Sequence, residues 1–98
     1  MNIQIQSVKF DADQKLLDFV EHKVGKLDRM IDNSTGAEVT LKLDKDDDLG
    51  NKVAVLKLAV PGTELIAERR SKTFEESIDM CVDALKRQIE RYKENSRS

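Results

Sequence analysis

The sequence predicts an α+β domain of two layers, a four-stranded mixed sheet covered on one face by two helices. Short segments in which apolar and polar residues alternate indicate four strands, and two longer segments with apolar residues every three or four positions indicate two helices. Their order along the chain is β-α-β-β-β-α. Because the strands share one apolar face and each helix has one apolar stripe, both helices are expected on the same side of the sheet. With 98 residues, the chain is expected to form a single domain over residues 1–98.

The first strand and the first helix are predicted at the start of the chain. Residues 2–8 alternate between apolar and polar and form the strand. Asp13 is a suitable N-cap for a helix over residues 14–31, because its carboxylate can accept a hydrogen bond from a free backbone N–H of the first turn. Gly25 lies within this helix and is expected to cost about 1 kcal/mol relative to Ala without ending it. The apolar stripe consists of Leu16, Leu17, Val20, Val24, Leu27 and Ile31.

Three more strands and a second helix are predicted from the rest of the chain. Thr73 is a suitable N-cap for the second helix, which is expected to run for about six turns. The first two strands are joined through the first helix, so they are expected to pair in parallel with a right-handed crossover, while the other pairs are antiparallel. The predicted strands cover residues 37–44, 52–60 and 64–70, with an acidic turn at residues 44–51 and a Pro-Gly turn at residues 61–63. The second apolar stripe consists of Phe74, Ile78, Cys81, Val82, Leu85, Ile89 and Tyr92.

Composition and cysteine content exclude several classes of protein. The 17 Lys and Arg residues nearly balance the 19 Asp and Glu residues, which gives a formal net charge of −2. No apolar run approaches the roughly 20 residues needed to cross a bilayer, and the N-terminus lacks the pattern of a secretory signal. A cytoplasmic protein with no membrane partner is therefore expected. The single Cys81 cannot form an internal disulfide, and one histidine with one cysteine cannot supply the ligands of a zinc site.

No pattern in the sequence indicates an enzyme, a cofactor or a small-molecule substrate. Cys81 falls inside the apolar stripe of the second helix, which favours a buried side chain over a nucleophile. His22 lies among lysines, and no serine or cysteine nucleophile is placed by a known catalytic motif. The acidic run that begins at Asp44 lacks EF-hand spacing, because its sixth and twelfth positions are Leu49 and Val55 instead of Gly and Glu. The protein is therefore expected to be non-enzymatic and to bind no metal.

Charged residues are segregated by sign on the first helix. At about 100° per residue, His22, Lys26 and Arg29 fall within about 40° of Lys15, and Lys23 lies on the core-side edge of this basic line. The opposite flank of the apolar stripe carries Gln14, Asp18, Glu21 and Asp28. The helix is therefore basic along one side.

The second helix is acidic in its first half and basic in its second half. Residues 86–97 carry five bases and two acids, for a net charge of +3 (5 − 2). The bases are Lys86, Arg87, Arg91, Lys93 and Arg97. Two interpretations stay open: the gradient compensates the helix dipole, or the two basic tracts together form a surface for phosphates.

Three tracts of the sequence carry a resemblance to a known family. They are DFVEHKVGKLDRM at residues 18–30, VTLKLDK at residues 39–45 and KTFEESIDMCVDALKRQIERYKE at residues 72–94. Together with the element order, they closely resemble the bacterial ribosome hibernation promoting factors. That family includes the ribosome-associated inhibitor and also has the older label of sigma-54 modulation protein. The most specific tract is LKRQIERYK at residues 85–93, and the resemblance covers nearly the whole chain.

The resemblance implies a dsRBD-like fold that occupies the cleft of the small ribosomal subunit. There the domain would contact 16S rRNA and nearby ribosomal proteins, block the binding of mRNA and tRNA, and inhibit translation without catalysis. Favouring ribosome dimers is a further outcome that the resemblance leaves open. Since the chain ends at Ser98, it resembles the short form of the family, which needs a separate partner to form such dimers and is expected to be monomeric when free.

The predicted rRNA contacts combine the basic tracts with the positions that match the family. The matching positions are Lys23, Lys26, Lys42, Lys45, Arg87, Arg91 and Lys93, and the basic line of the first helix adds Arg29. Secondary candidates are Lys15, His22, Lys86 and Arg97. An alternative function stays open: a protein-interaction module that binds a regulatory protein, such as an alternative sigma factor, through the exposed sheet face or the acidic turn.

Overall fold

The observed elements follow the predicted order. A computed structural model of the protein describes residues 1–31, 36–45 and 47–96. Its elements are β1 (Ile3–Val8), α1 (Gln14–Gly25), a 3₁₀ turn (Lys26–Arg29), β2 (Gly36–Leu43), β3 (Lys52–Val60), β4 (Thr63–Ser71) and α2 (Phe74–Ser96). The prediction of a mixed four-stranded sheet with two helices is thereby confirmed.

The four strands form one sheet in the order β1-β2-β3-β4. β1 pairs with β2 in parallel, and the other two pairs are antiparallel. The register places Ile5, Val39, Leu56 and Ala67 in one row across the sheet, on the face that packs against the helices. Because side chains alternate along a strand, the next row, which contains Gln4, Glu38, Lys57 and Ile66, lies on the other side. We call this second side the open face.

The first helix is shorter than predicted. Asp13 caps it as expected, since its Oδ1 accepts a hydrogen bond from the backbone N–H of Leu16 at 2.8 Å. The α-helix ends at Gly25, however, and the chain tightens into the 3₁₀ turn over Lys26–Arg29, so the prediction of one helix over residues 14–31 is wrong. Glycine has no side chain to favour the helical conformation, so it destabilises the α-helix at the point where the chain changes from α-helical to 3₁₀ geometry. The Asn-Ser-Thr-Gly run at residues 33–36, near which the sequence also predicts the end of the helix, falls largely outside the described residues.

The second helix begins as predicted, with a polar network beneath its first turn. Thr73 Oγ1 accepts a hydrogen bond from the backbone N–H of Glu76 at 3.1 Å, which confirms the N-cap. Ser77 is fully buried, and its hydroxyl donates to the carbonyl of Lys52 at 2.7 Å and lies 2.8 Å from the hydroxyl of Ser71. This network joins α2 to β3 and β4 without leaving a buried hydroxyl unpaired.

The core lies between the sheet and the helical layer. The largest fully buried side chains from the helical layer are Val20, Val24, Leu27, Ile78, Leu85 and Ile89, as both apolar stripes predict. Burial of Leu27 shows that the 3₁₀ turn keeps the stripe aimed at the core. Within the described residues, no helix is long and apolar enough to cross a membrane.

Candidate nucleic-acid interface

The two helices lie side by side and run in the same direction. At their starts, the ring of Phe10, just before α1, stacks on the ring of Phe74 with centroids 4.6 Å apart. Further along both helices, Lys23 Nζ lies 3.1 Å from Asp79 Oδ1. Lys23 therefore faces α2, and Asp79 faces α1. We call the channel between these facing flanks the interhelical groove.

The 3₁₀ turn changes where two predicted contacts point. In a 3₁₀ helix, residues three apart are eclipsed, so Lys26 and Arg29 project in nearly the same direction, whereas in an α-helix they would diverge by about 60°. Both side chains are exposed. Lys15 and His22 are exposed too and continue this line toward the start of α1. α1 and the 3₁₀ turn therefore carry a straight row of exposed cations on their solvent side, next to the groove, helped by the helix end that the sequence did not predict.

Several predicted contacts lie on α1 and the 3₁₀ turn. Among them, and within the described residues, only Lys23 forms an ion pair. Besides its ion pair with Asp79, its ammonium lies 5.7 Å from the centroid of the Phe19 ring, within the range of a cation–π contact. Its side chain is 31% exposed. The sequence placed Lys23 on the core-side edge of the basic line, and the structure shows that this edge is the contact with α2.

The basic tract of α2 divides into two flanks. Asp79, Lys86 and Lys93 follow one another at seven-residue spacing, so they drift by only about 20° per step and share the groove flank. Arg91 lies on the opposite flank, where it lines a shallow depression with Thr63 of β4. Arg87 is within about 40° of Arg91. We call this second side the β4 flank. Arg97 lies outside the described residues.

An acidic ridge separates the two flanks of α2. Its exposed members are Glu76, Asp83, Glu90 and Glu94, spaced so that they share the outward side of the helix. The net charge of +3 counted along residues 86–97 therefore does not describe one uniform basic surface. A polyanion is favoured beside the ridge, along the groove flank or along the β4 flank.

The two cations predicted on the second strand lie away from the helices. Lys42 belongs to the open face, because β2 turns Leu41 toward the core. Lys45 is exposed in the turn after β2. The sheet therefore separates Lys42 from the groove, and the predicted contacts do not converge on a single face.

Arg70 organises the acidic turn and was missed by the sequence analysis. Its Nη1 donates to the backbone carbonyls of Lys45 at 3.0 Å and Gly50 at 3.1 Å, and its guanidinium also pairs with Asp44 and Asp47. The pKa of Asp44 is lowered by the hydrogen bond from the Lys45 backbone N–H and by the one from Arg70. Arg70 lies 25 residues from Lys45, so no local pattern in the sequence points to this contact.

The structure assigns no chemistry to Cys81. The thiol is fully buried, its Sγ donates to the Ala54 carbonyl at 3.4 Å, and burial raises its pKa to about 11. Because the thiolate is the nucleophile, this group is inert at neutral pH. Over residues 1–31, 36–45 and 47–96, no group of three or more His, Cys, Asp or Glu side chains could hold a metal ion.

The fold and the charges define a two-layer α+β domain with exposed cations along its helical layer, a surface suited to a polyanion. The family model described as Sigma 54 modulation protein / S30EA ribosomal protein matches residues 3–97, and the chain belongs to this family. The family resemblance inferred from the sequence is thereby confirmed.

Relatives of the chain are named as ribosome hibernation factors. The ribosome hibernation promoting factor of Azotobacter vinelandii is 31% identical over 94 residues, which cover 96% of this chain and 84% of the relative. The one from Pseudomonas putida is 30% identical over 98 residues and 92% of its length. The ribosome hibernation promotion factor of Bacillus subtilis is 34% identical over 95 residues, and the chain spans about half of that protein's length (49%).

Two solved structures are similar to the fold. The crystal structure of the Thermus thermophilus Protein Y N-terminal domain matches with a TM-score of 0.81 at 28% identity, over 94% of this chain and 99% of that one. A ribosomal subunit interface protein from Coxiella burnetii matches with a TM-score of 0.84 at 20% identity, over 95% of this chain and 98% of that one. The predicted α+β architecture is therefore confirmed.

Proposed function

We propose that the protein is a non-enzymatic ribosome hibernation factor that binds the small ribosomal subunit through 16S rRNA. Family membership and the names of the relatives support a role in hibernation. The observation that carries the proposal is the set of cations along the helical layer, of which Lys26, Arg29 and Lys93 are exposed and Lys86 is half-buried. In the part of the chain that the structure describes, Lys26, Arg29, Lys86 and Lys93 form no ion pair, so their charges are available to phosphates.

Phosphate binding explains how a chain with a net charge of −2 can hold RNA. Each cation that neutralises a phosphate releases counterions, so affinity depends on the local row of cations and on salt more than on the total charge. Some of the acidic residues lie on the outward ridge of α2 and in the turn between β2 and β3. Both regions would lie away from phosphates in a complex that uses the groove.

The distribution of the cations favours a cleft over a flat RNA surface. The groove flank, the β4 flank and Lys42 on the open face point in different directions, so one flat partner cannot contact all of them. A cleft that encloses the domain can reach Lys42 and Lys45 as well as Arg87, Arg91 and the groove. A body of 44 × 27 × 17 Å in that cleft would exclude mRNA and tRNA by its bulk.

The remaining parts of the proposal concern assembly and location. The free domain is monomeric and cytoplasmic. Nearby ribosomal proteins complete the binding site, and no small molecule or cofactor takes part. Inhibition of translation follows from occupancy alone.

The occlusion step is tested by tRNA binding to small subunits programmed with mRNA. Filter retention of labelled tRNA should fall as the protein is added, and the fall should disappear when salt is raised from about 50 to about 200 mM, because phosphate contacts weaken over this range. A variant in which Lys23, Lys26, Arg87 and Arg91 are replaced by Ala should not displace tRNA. Unchanged tRNA retention at saturating wild-type protein would contradict the proposal.

A second candidate function is a protein-interaction module, and the turn between β2 and β3 favours it. Leu49 is 67% exposed there, in a turn that Arg70 holds in place. An exposed leucine beside Asp47 and Asp48 is suited to a protein partner, such as a regulatory protein, rather than to RNA. Binding to such a partner should lose affinity when Leu49 is replaced by Ser and should depend only weakly on salt.

A further inference from the structure

The groove flank of α2 carries a carboxylate as well as cations. Asp79 shares the groove flank of α2 with Lys86 and Lys93, and it lies 3.1 Å from the ammonium of Lys23. Its side chain is 48% exposed and that of Lys23 is 31% exposed, so both charges are within reach of solvent and of a bound ligand. The acids of the acidic ridge face outward, and Glu75 lies at the start of α2, where it lines a depression with Lys15 of α1.

We propose that Asp79 is an internal competitor for the phosphates of the RNA, and that it limits affinity and thereby keeps binding reversible. The inference rests on the proposed function, because it assumes that the groove holds rRNA. In the free protein, the carboxylate of Asp79 pairs with the ammonium of Lys23, which a phosphate would bind in the complex. For Lys23 to contact a phosphate, it must leave Asp79, and the phosphate must then sit close to an uncompensated carboxylate.

The free-energy change on exchanging Asp79 for a phosphate is small. A solvent-exposed ion pair contributes little to stability, because water and salt screen it and two long side chains must be held in place. A phosphate can therefore displace Asp79, but the free energy needed to break the Lys23–Asp79 pair offsets part of its attraction to Lys23. Asp79 thus positions Lys23 and tunes the site without touching the fold of the core.

Asp79→Asn removes the competing charge while it keeps the size of the side chain. We expect this variant to bind the small subunit about two- to fivefold more tightly, a change that matches the worth of an exposed ion pair. Because Lys23 becomes available to one more phosphate, the slope of log affinity against log salt should steepen by about 0.7 to 0.9. Affinity is measured by anisotropy of labelled protein against a titration of small subunits at several salt concentrations.

Asp83→Asn is the matched control. It removes the same charge from the same helix one turn further on, but from the acidic ridge, and Asp83 forms no ion pair among the described residues. Since Asp83 holds none of the described cations in an ion pair, its removal makes no further cation available, so the affinity should change less than in Asp79→Asn and the slope should stay unchanged. Asp79→Glu, which keeps the carboxylate, should bind as wild type does.

A double-mutant cycle with Lys23→Ala assigns the effect to the pair. The steeper slope should be absent from Lys23→Ala/Asp79→Asn, so the two changes should not be additive. Weaker binding by Asp79→Asn, or a gain no larger than that of Asp83→Asn, would overturn the role of Asp79 while leaving the proposed function intact. Failure of the wild type to bind small subunits at low salt would overturn both.

Discussion

The two flanks of α2 show how neighbouring residues of one basic tract come to serve different surfaces. Arg91 and Lys93 are two residues apart, yet the helix directs them about 160° apart, Lys93 toward the interhelical groove and Arg91 toward β4. The groove flank faces a second helix, because Asp79 on this flank lies 3.1 Å from Lys23 of α1. The β4 flank instead borders the edge strand β4 of the sheet.

This difference shows that the candidate interface depends on how close the cations lie to one another in space, and not on how many the sequence contains. Cations of both helices lie on the same side of the sheet, next to the interhelical groove, where a run of phosphates can contact several of them. Arg87 and Arg91 add charge at the rim, beyond the acidic ridge. The groove is therefore expected to contribute most of the affinity for rRNA, the β4 flank less, and the open face least.

The largest expected effect comes from the groove. Replacing Lys26, Lys86 and Lys93 by Ala should weaken binding to small subunits by about 100-fold near physiological salt and reduce the salt slope by about 2 to 3, since three phosphate contacts are lost. Titration at several salt concentrations measures both. The control replaces Lys9, Lys57 and Lys72, which removes the same charge elsewhere. Equal losses in the two triple variants would show that net charge, and not the groove, sets affinity.

An intermediate effect is expected on the β4 flank. Arg87→Ala/Arg91→Ala should weaken binding by about tenfold and lower the salt slope by about 1.4 to 1.8, because two phosphate contacts are removed. The same titration applies, with the thermal midpoint of each variant as a check on folding. A loss larger than that of the groove variant would reverse the comparison between the flanks.

A smaller effect is expected on the open face. Lys42→Ala should weaken binding by about threefold and lower the slope by about 0.7 to 0.9, as for one phosphate contact. Lys57→Ala, on the same face, is the matched control and should change neither value. No difference between the two variants would indicate that RNA reaches only the helical layer, and the enclosing cleft would then be the wrong description.

The smallest expected effect concerns Cys81, whose thiol should not react in any of these variants. Since its pKa is raised to about 11, the thiol stays protonated at pH 8 and is also sealed in the core, so a thiol reagent should react only after unfolding in urea. Reaction is followed by the absorbance of the released chromophore. Fast reaction in a folded variant would mean that its loss of binding reflects a damaged core instead of a lost contact.

Much of the fold could be predicted because local patterns determine it. The alternation of the strands, the two apolar stripes and the caps at Asp13 and Thr73 all depend on neighbouring residues, and the structure confirms them. The end of α1 at Gly25 could not be predicted with the same reasoning. A glycine destabilises a helix by about 1 kcal/mol relative to alanine, and tertiary packing decides whether the helix continues through it.

The candidate site was predictable in part. Strand alternation already predicts that Lys42 and Leu41 lie on opposite faces of the sheet. Helical spacing already predicts that Arg91 and Lys93 lie on opposite flanks of α2, so both placements follow from the sequence. The Lys23–Asp79 pair depends on how the helices dock, and the contact of Arg70 with the acidic turn spans 25 residues. Such contacts are set by tertiary packing, which no local pattern records.

Cosedimentation with separated ribosomal subunits tests the central claim most directly. Wild-type protein should travel with the small subunit at low salt and leave it as salt rises, whereas the groove variant lacking Lys26, Lys86 and Lys93 should remain at the top of the gradient while still folded. Wild type that stays at the top even at low salt, or that travels with the large subunit alone, would contradict the account.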